Sequence, residues 1–286
     1  MFNFIKHRKI WYLISLLVIV PGLVSLALQG LNLGIDFTGG NIMEVRLEQG
    51  VKVQQVRQVV EDLGYGASRN IQKSGANDYL IRTRELSEVE SAKLIATMQE
   101  KLGKTVLLRN ERVGPVIGKE LTTKAVLALL IASALMLVYI TFRFEFKQGV
   151  AAIVALLHDS LVVLGIFSIF QIEVDTAFVA AILTIIGYSI NDTIIIFDRV
   201  RENMKTRKKG ESLEDLVNFS LWQTLARSIN TVLTVVFVLV ALYFLGGTTT
   251  KTLVLAMLIG VISGAYSSIF NASPVWVDLK LAEKKR

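Results

Sequence analysis

Residues 175–203 read DTAFVAAILTIIGYSINDTIIIFDRVREN, and this stretch decides the fold. From Ala177 to Phe197 the run is apolar and long enough to cross a bilayer, which takes roughly 20 residues. It nevertheless carries Asn191 and Asp192, the latter about 8 Å of helical rise short of Phe197. A carboxylate near mid-membrane costs on the order of 2.5–3.5 kcal/mol even on the lenient insertion scale. On a helix of 3.6 residues per turn, Thr184, Tyr188, Asn191, Asp192 and Asp198 gather within roughly a third of the circumference. Such a stripe faces protein or water rather than lipid. It reads either as a proton or ion site or as hydrogen-bonded contact between helices.

The rest of the chain places this segment in a membrane bundle. The 286 residues are 52% hydrophobic with mean hydropathy +0.53, and the excess sits in runs, so an integral membrane protein is expected. Five further runs accompany the central one: Ile10–Leu28, Ala125–Phe142, Val150–Phe170, Ile229–Leu245 and Thr252–Phe270. The first follows Lys6–Lys9 and is longer than the apolar core of a signal peptide, so it is read as an uncleaved helix, kinked near Pro21 and Gly22. The net charge of +7 comes from basic residues beside apolar runs, a topology signal rather than a nucleic-acid footprint. Arg143 and Lys147 occupy one loop, and Arg199, Arg201, Lys205, Arg207, Lys208 and Lys209 another. Lys280, Lys284, Lys285 and Arg286 lie in the tail, whereas the opposing short loops carry only Lys251. Both termini are therefore expected in the cytoplasm. No cysteine is present, the two histidines make no ligand motif, and no Walker loop occurs. Thiol chemistry is excluded, and neither a metal, a cofactor nor ATP is expected.

Between the first two spans the composition turns polar. Met43, Val45 and Leu47 alternate with charged residues as in a strand. Val53, Val56, Val60 and Leu63 recur at helical spacing up to Gly64. Strand-like pieces follow at Ser68–Lys73 and Tyr79–Arg84 around the turn cluster 74–77. Ser87 and Glu90 form a capping box for a helix ending at Gly103, and Thr105–Val113 supplies a last strand. The order is βαββαβ, a ferredoxin-like unit. The expected architecture is thus a six-span helical membrane protein with one extracytoplasmic α+β domain. Its parts are 1–29 for the N-terminus and first helix, 30–120 for the external domain, 121–274 for the remaining spans and 275–286 for a basic cytoplasmic tail. Residues 212–222, with Leu213, Leu216, Val217 and Leu221 on one side, read as an interfacial helix or as a connector leading into span five.

Two more places hold candidate chemistry. On span five, Gln223, Thr224, Arg227, Asn230, Thr231 and Thr234 share a face. Arg227 falls at the depth of Asp192, where opposite buried charges are expected to pair. The competing reading for Arg227 is snorkelling to the headgroups. Span three carries His158, Asp159 and Ser160 near its centre. Asp159 reads equally as a relay carboxylate and as a structural acid, and His158, some 100° away on the helix, is not expected to pair with it.

The runs GLNLGIDFTGG at 30–40, HDS at 158–160, GYSINDTIIIFDRVREN at 187–203 and LARSINT at 225–231 resemble the SecF family of protein-export membrane proteins. That family lies within the resistance–nodulation–division superfamily, and the resemblance covers essentially the whole chain. It implies pairing with SecD, association with the SecYEG channel, with YajC as a further candidate partner, and proton-motive-force-driven movement of exported preproteins. It also implies that the external domain is the P1 head and that Asp192 and Arg227 conduct protons, with Asn191 and Asn230 as neighbours. No covalent chemistry is expected. Rival readings are a small-molecule or lipid exporter subunit of the same superfamily and a structural membrane scaffold.

Overall fold

The computed structural model describes residues 2–65, 71–247 and 250–284. The part of the expected strand at 68–70 and the last two basic residues lie outside them. The chain forms two compact units, Met1–Asn32 with Leu127–Arg286, and Leu33–Val126.

In the second unit a short strand β1 (Asn32–Leu33) and a single turn α2 (Ile35–Thr38) lead to the Gly39–Gly40 pair. Both glycines have positive φ, and a Cβ on Gly40 would stand 2.6 Å from the Thr83 carbonyl oxygen, so only glycine enters the sheet here. The sheet comprises β2 (Gly40–Arg46), β3 (Ile71–Lys73), β4 (Asp78–Thr83) and β5 (Val106–Val113) in the antiparallel order β3-β4-β2-β5. With helices α3 (Val53–Asp62) and α4 (Glu88–Leu102) crossing between strands, this is the ferredoxin-like βαββαβ arrangement. Period-2 alternation sends Met43, Val45, Tyr79 and Ile81 inward against Val56, Val60, Leu94 and Met98. Ser87 caps α4 by accepting from the Glu90 N–H, and Glu90 returns the bond to the Ser87 N–H.

Acid should loosen this unit. Arg84, together with the Ser87 cap, pulls the Glu90 carboxyl down to about 2 from its ordinary 4.5, and Arg46 lowers Asp78. Groups whose folded value is depressed stabilise the fold above the unfolded value and lose that contribution as pH falls. A fragment of residues 36–113 is expected to melt cooperatively at neutral pH and to lose thermal stability between about pH 4.5 and 2. Circular dichroism melts would show it; an unchanged midpoint across that window would refute the assignment.

The first unit is a helical bundle. Six helices are long and apolar enough to cross a membrane: α1 (Arg8–Gln29), α5 (Pro115–Arg143), α6 (Phe146–Ile169), α7 (Thr176–Lys205, after the short β6, Glu173–Val174), α8 (Leu213–Leu245) and the last span. That span is α9 (Lys251–Ser267), a π-helical turn at Ser268–Ala272 and α10 (Ser273–Lys284). In α6, α7 and the last span, half of the most apolar stretch is buried, against 11%, 6% and 17% in α1, α5 and α8. Small residues let the backbones approach closely at several helix contacts. A Cβ on Gly22 of α1 would meet Gly165 Cα of α6 at 2.7 Å, and Gly260 and Gly264 of α9 lie against Ile185 and Ser189 of α7.

The sequence expectation holds for the spans and differs in detail. Residues 213–222 are not a separate interfacial helix but the first turns of α8, capped by Ser212. The N-terminus is hydrogen-bonded to these turns: Asn218 accepts from the Phe4 N–H, Trp222 donates to the Phe2 carbonyl, and Arg8 pairs with Glu214. The basic end continues as helix α10 to Lys284.

Candidate functional site

Helix α7 carries polar groups on two sides, and the bundle treats the two sides differently. Asp192 is 2% exposed, and neither carboxylate oxygen has a hydrogen-bond partner. One turn earlier, Tyr188 donates to the Thr231 carbonyl of α8 at 3.1 Å, which ties the two helices beside the acid. Buried Ser228 of α8 also has an unpartnered hydroxyl. No ion pair joins Asp192 to Arg227 among the described residues.

The expected buried pairing of Asp192 with Arg227 is therefore corrected. Arg227 is on the surface of the subunit, as are Asn191 and Asn230. The reason is packing: α8 is an outer helix whose apolar residues Val232, Val235 and Val236 face α9, so its polar face turns outward. Thr184, also exposed, returns its hydroxyl to the Ala180 carbonyl, and Asp198 sits 3.4 Å from Arg143. Sequence grouped these residues on one face correctly; the bundle leaves most of that face uncovered.

Asp159 of α6 is the opposite case. It is 1% exposed and fully satisfied. Ser189 of α7 and Ser267 of α9 donate to Oδ2 at 2.6 and 2.7 Å, and Ser263 of α9 donates to Oδ1 at 2.7 Å. His158 Nδ1 lies 3.0 Å from Oδ1. The expectation that His158 and Asp159 stay apart is thus wrong: two side-chain torsions bring the ring round to its neighbour despite the 100° offset of the Cα–Cβ vectors. The three serines escaped the sequence reading. For Ser263 and Ser267 the signal was the small-residue spacing Gly260, Ser263, Gly264, Ser267 in the last span. Below them Thr193 and Ser268 share a hydrogen bond at 2.8 Å.

Fold and site together define a polytopic helical membrane protein with two acids buried at different places in the bundle and one small α+β domain. The chain belongs to the SecD/SecF family. The model of the protein export membrane protein SecD/SecF C-terminal region matches residues 93–282, and that of the SecD/SecF GG motif matches 24–51. The SecF translocase subunit of Thermobaculum terrenum is 45% identical over 97% of this chain and 94% of its own. The SecDF of Bacillus subtilis is 41% identical over 99% of this chain and 39% of its own. The crystal structure of the translocon-associated membrane protein SecDF from Thermus superposes with a TM-score of 0.89 at 36% identity, over 100% of this chain and 39% of that one. The chain thus spans about two fifths of the fused SecDF proteins.

Proposed function

We propose that this protein is the SecF-like half of a protein-export assembly in the cell membrane, coupling inward proton flow to movement of its external domain. The observation that carries the reading is Asp192, a buried carboxylate without a partner beside an uncovered polar face at membrane depth. Asn191, Arg227 and Asn230 are expensive to leave against lipid, so that face calls for a second subunit. A SecD-type half is the natural occupant, since in Bacillus subtilis SecDF the region similar to this chain is part of one longer polypeptide. SecYEG, YajC and the exported preprotein are further partners on this reading.

The Arg227 charge attracts the ionised Asp192 carboxylate. Protonation relaxes that attraction and lets α7 and α8 repack, which is the charge switch an alternating transporter needs. Asp192 carries the proton, Arg227 sets its charge state, and Asn191 and Asn230 flank the route.

The loop charges support an orientation with both termini in the cytoplasm and residues 30–120 outside. A cysteine at Gly75 should react with an impermeant thiol reagent from outside, and one at Lys208 should not; the chain has no native cysteine. Equal external labelling at both sites would overturn this orientation. The function itself is tested by export into membrane vesicles with and without a proton gradient.

A further inference from the structure

At the end of the bundle that carries the basic loops, a groove of about 380 Å³ opens between the end of α5, the start of α6, the last turns of α7, and α10. Two guanidiniums line it, Arg143 from the last turn of α5 and Arg201 from α7. Arg201 makes no ion pair among the described residues, whereas nearby Arg199 is taken up by Glu202. Arg143 is loosely held. Its one carboxylate contact, to Asp198, is 3.4 Å long between exposed side chains, a pair of little strength in water. Its guanidinium lies 5.1 Å from the centroid of the Phe144 ring, which steadies it. Glu145, the acid in the groove wall, is already bound by Lys280. The groove is left with an excess of positive charge.

A second feature of the groove is independent of charge. Trp276 of α10 lines it, is 1% exposed, and has an indole N–H without an acceptor. Buried donors are paired in the great majority of cases, and an acceptor seated in the groove is the partner this one lacks within the chain. The first turn of α6 also opens here through Gln148, and the N–H groups of a first turn favour an anion. The remaining wall is apolar: Phe142, 90% exposed, lines the groove beside Met204. Cations, an orphan donor and a bare aromatic ring in one groove fit an amphiphile with an anionic head.

We propose that this groove binds an anionic phospholipid, its phosphate held by Arg143, Arg201 and the Trp276 N–H and an acyl chain lying over Phe142. The planar fork of a guanidinium meets phosphate oxygens two at a time. Basic pockets between membrane helices on the cytoplasmic side bind acidic head groups, and the loop charges support that side for this groove. A lipid seated there ties the outer helix α5 to α7 and α10. The inference is independent of the Asp192 switch.

Native mass spectrometry of the delipidated full chain in neutral detergent tests this. The chain is titrated with phosphatidylglycerol, with phosphatidylcholine of the same acyl chains, and with inorganic phosphate. Wild type is expected to retain phosphatidylglycerol in preference to both others. Arg143→Gln/Arg201→Gln should weaken that retention about 25-fold, roughly fivefold per basic residue near a membrane surface. Trp276→Phe keeps an aromatic ring, and loss of its N–H should weaken retention about 5-fold. Lys208→Gln/Lys209→Gln removes the same charge from an exposed loop and should change nothing. Equal retention of phosphatidylcholine would overturn the proposal, as would equal weakening in the loop variant or wild-type retention in the double arginine variant. Wild-type retention in folded Trp276→Phe would overturn the indole contact. Tighter binding of inorganic phosphate would assign the groove to a free anion, and release of the lipid on assembly with the SecD partner would assign it to a subunit contact. Either result would overturn the lipid site.

Discussion

Asp192→Asn is expected to abolish the proton-gradient-driven part of export while leaving the protein folded and able to join its partner. Asparagine keeps the shape of the side chain but cannot take up and release a proton. Loss of a positioned proton carrier costs on the order of 100-fold or more in rate, so export with and without the gradient should become indistinguishable. Folding should not suffer, because neither oxygen of Asp192 makes a hydrogen bond that the amide would break. Arg227→Leu removes the charge that acts on the acid and should stall the cycle in one state. Arg227→Lys keeps the charge but loses the planar fork, and partial function is expected. Export measured in vesicles across a series of imposed gradients decides the matter. Full gradient stimulation in Asp192→Asn would place the switch elsewhere, with Asp159 the next carboxylate in the bundle.

The second large effect concerns packing. Gly22→Ala should destabilise the bundle strongly, because its Cβ would meet the Gly165 Cα at 2.7 Å and the obstacle is backbone. No side-chain rotation relieves that overlap; α1 and α6 must part. Overpacking of this kind costs about 1–3 kcal/mol and occasionally more. Gly22→Ala/Gly165→Ala should be worse than either change alone. Gly260→Ala differs in kind, since the overlap is with the Ile185 side chain. There Ile185→Ala should restore much of the loss, a coupling that a double-mutant cycle measures. Gly187→Ala provides the control: nothing lies within 4 Å of its Cβ, and alanine favours a helix by up to about 1 kcal/mol over glycine. Thermal aggregation of the purified protein in detergent would rank these variants. If Gly22→Ala melted like Gly187→Ala, the close approach of α1 and α6 would be wrong.

The Asp159 cluster shows how much of a site can hide from a linear reading. The acid was visible, as any charge within an apolar span is. Its partners were not, because Ser263 and Ser267 lie 104 and 108 residues away, and serine within a span is common enough to pass as filler. The reading of Arg227 failed in the other direction. Helical periodicity groups residues on one face, but it does not say whether that face looks inward or outward.

By itself, the sequence determined whatever is encoded over a few turns of chain. Length and hydropathy defined the six spans, since a bilayer core demands about 20 apolar residues per helix. Alternation, a capping box and glycines ending the helices at Gly64 and Gly103 defined the βαββαβ unit, because strand and helix differ in period. Tertiary structure alone decided which spans are inner and which outer. It joined His158 to Asp159, left Asp192 without a partner and turned Arg227, Asn191 and Asn230 to the surface. The physical reason is that helices of a bundle meet through close approach at small residues such as Gly22 with Gly165 and Gly264 with Ser189. Those contacts pair positions far apart in the chain, and no local period records them.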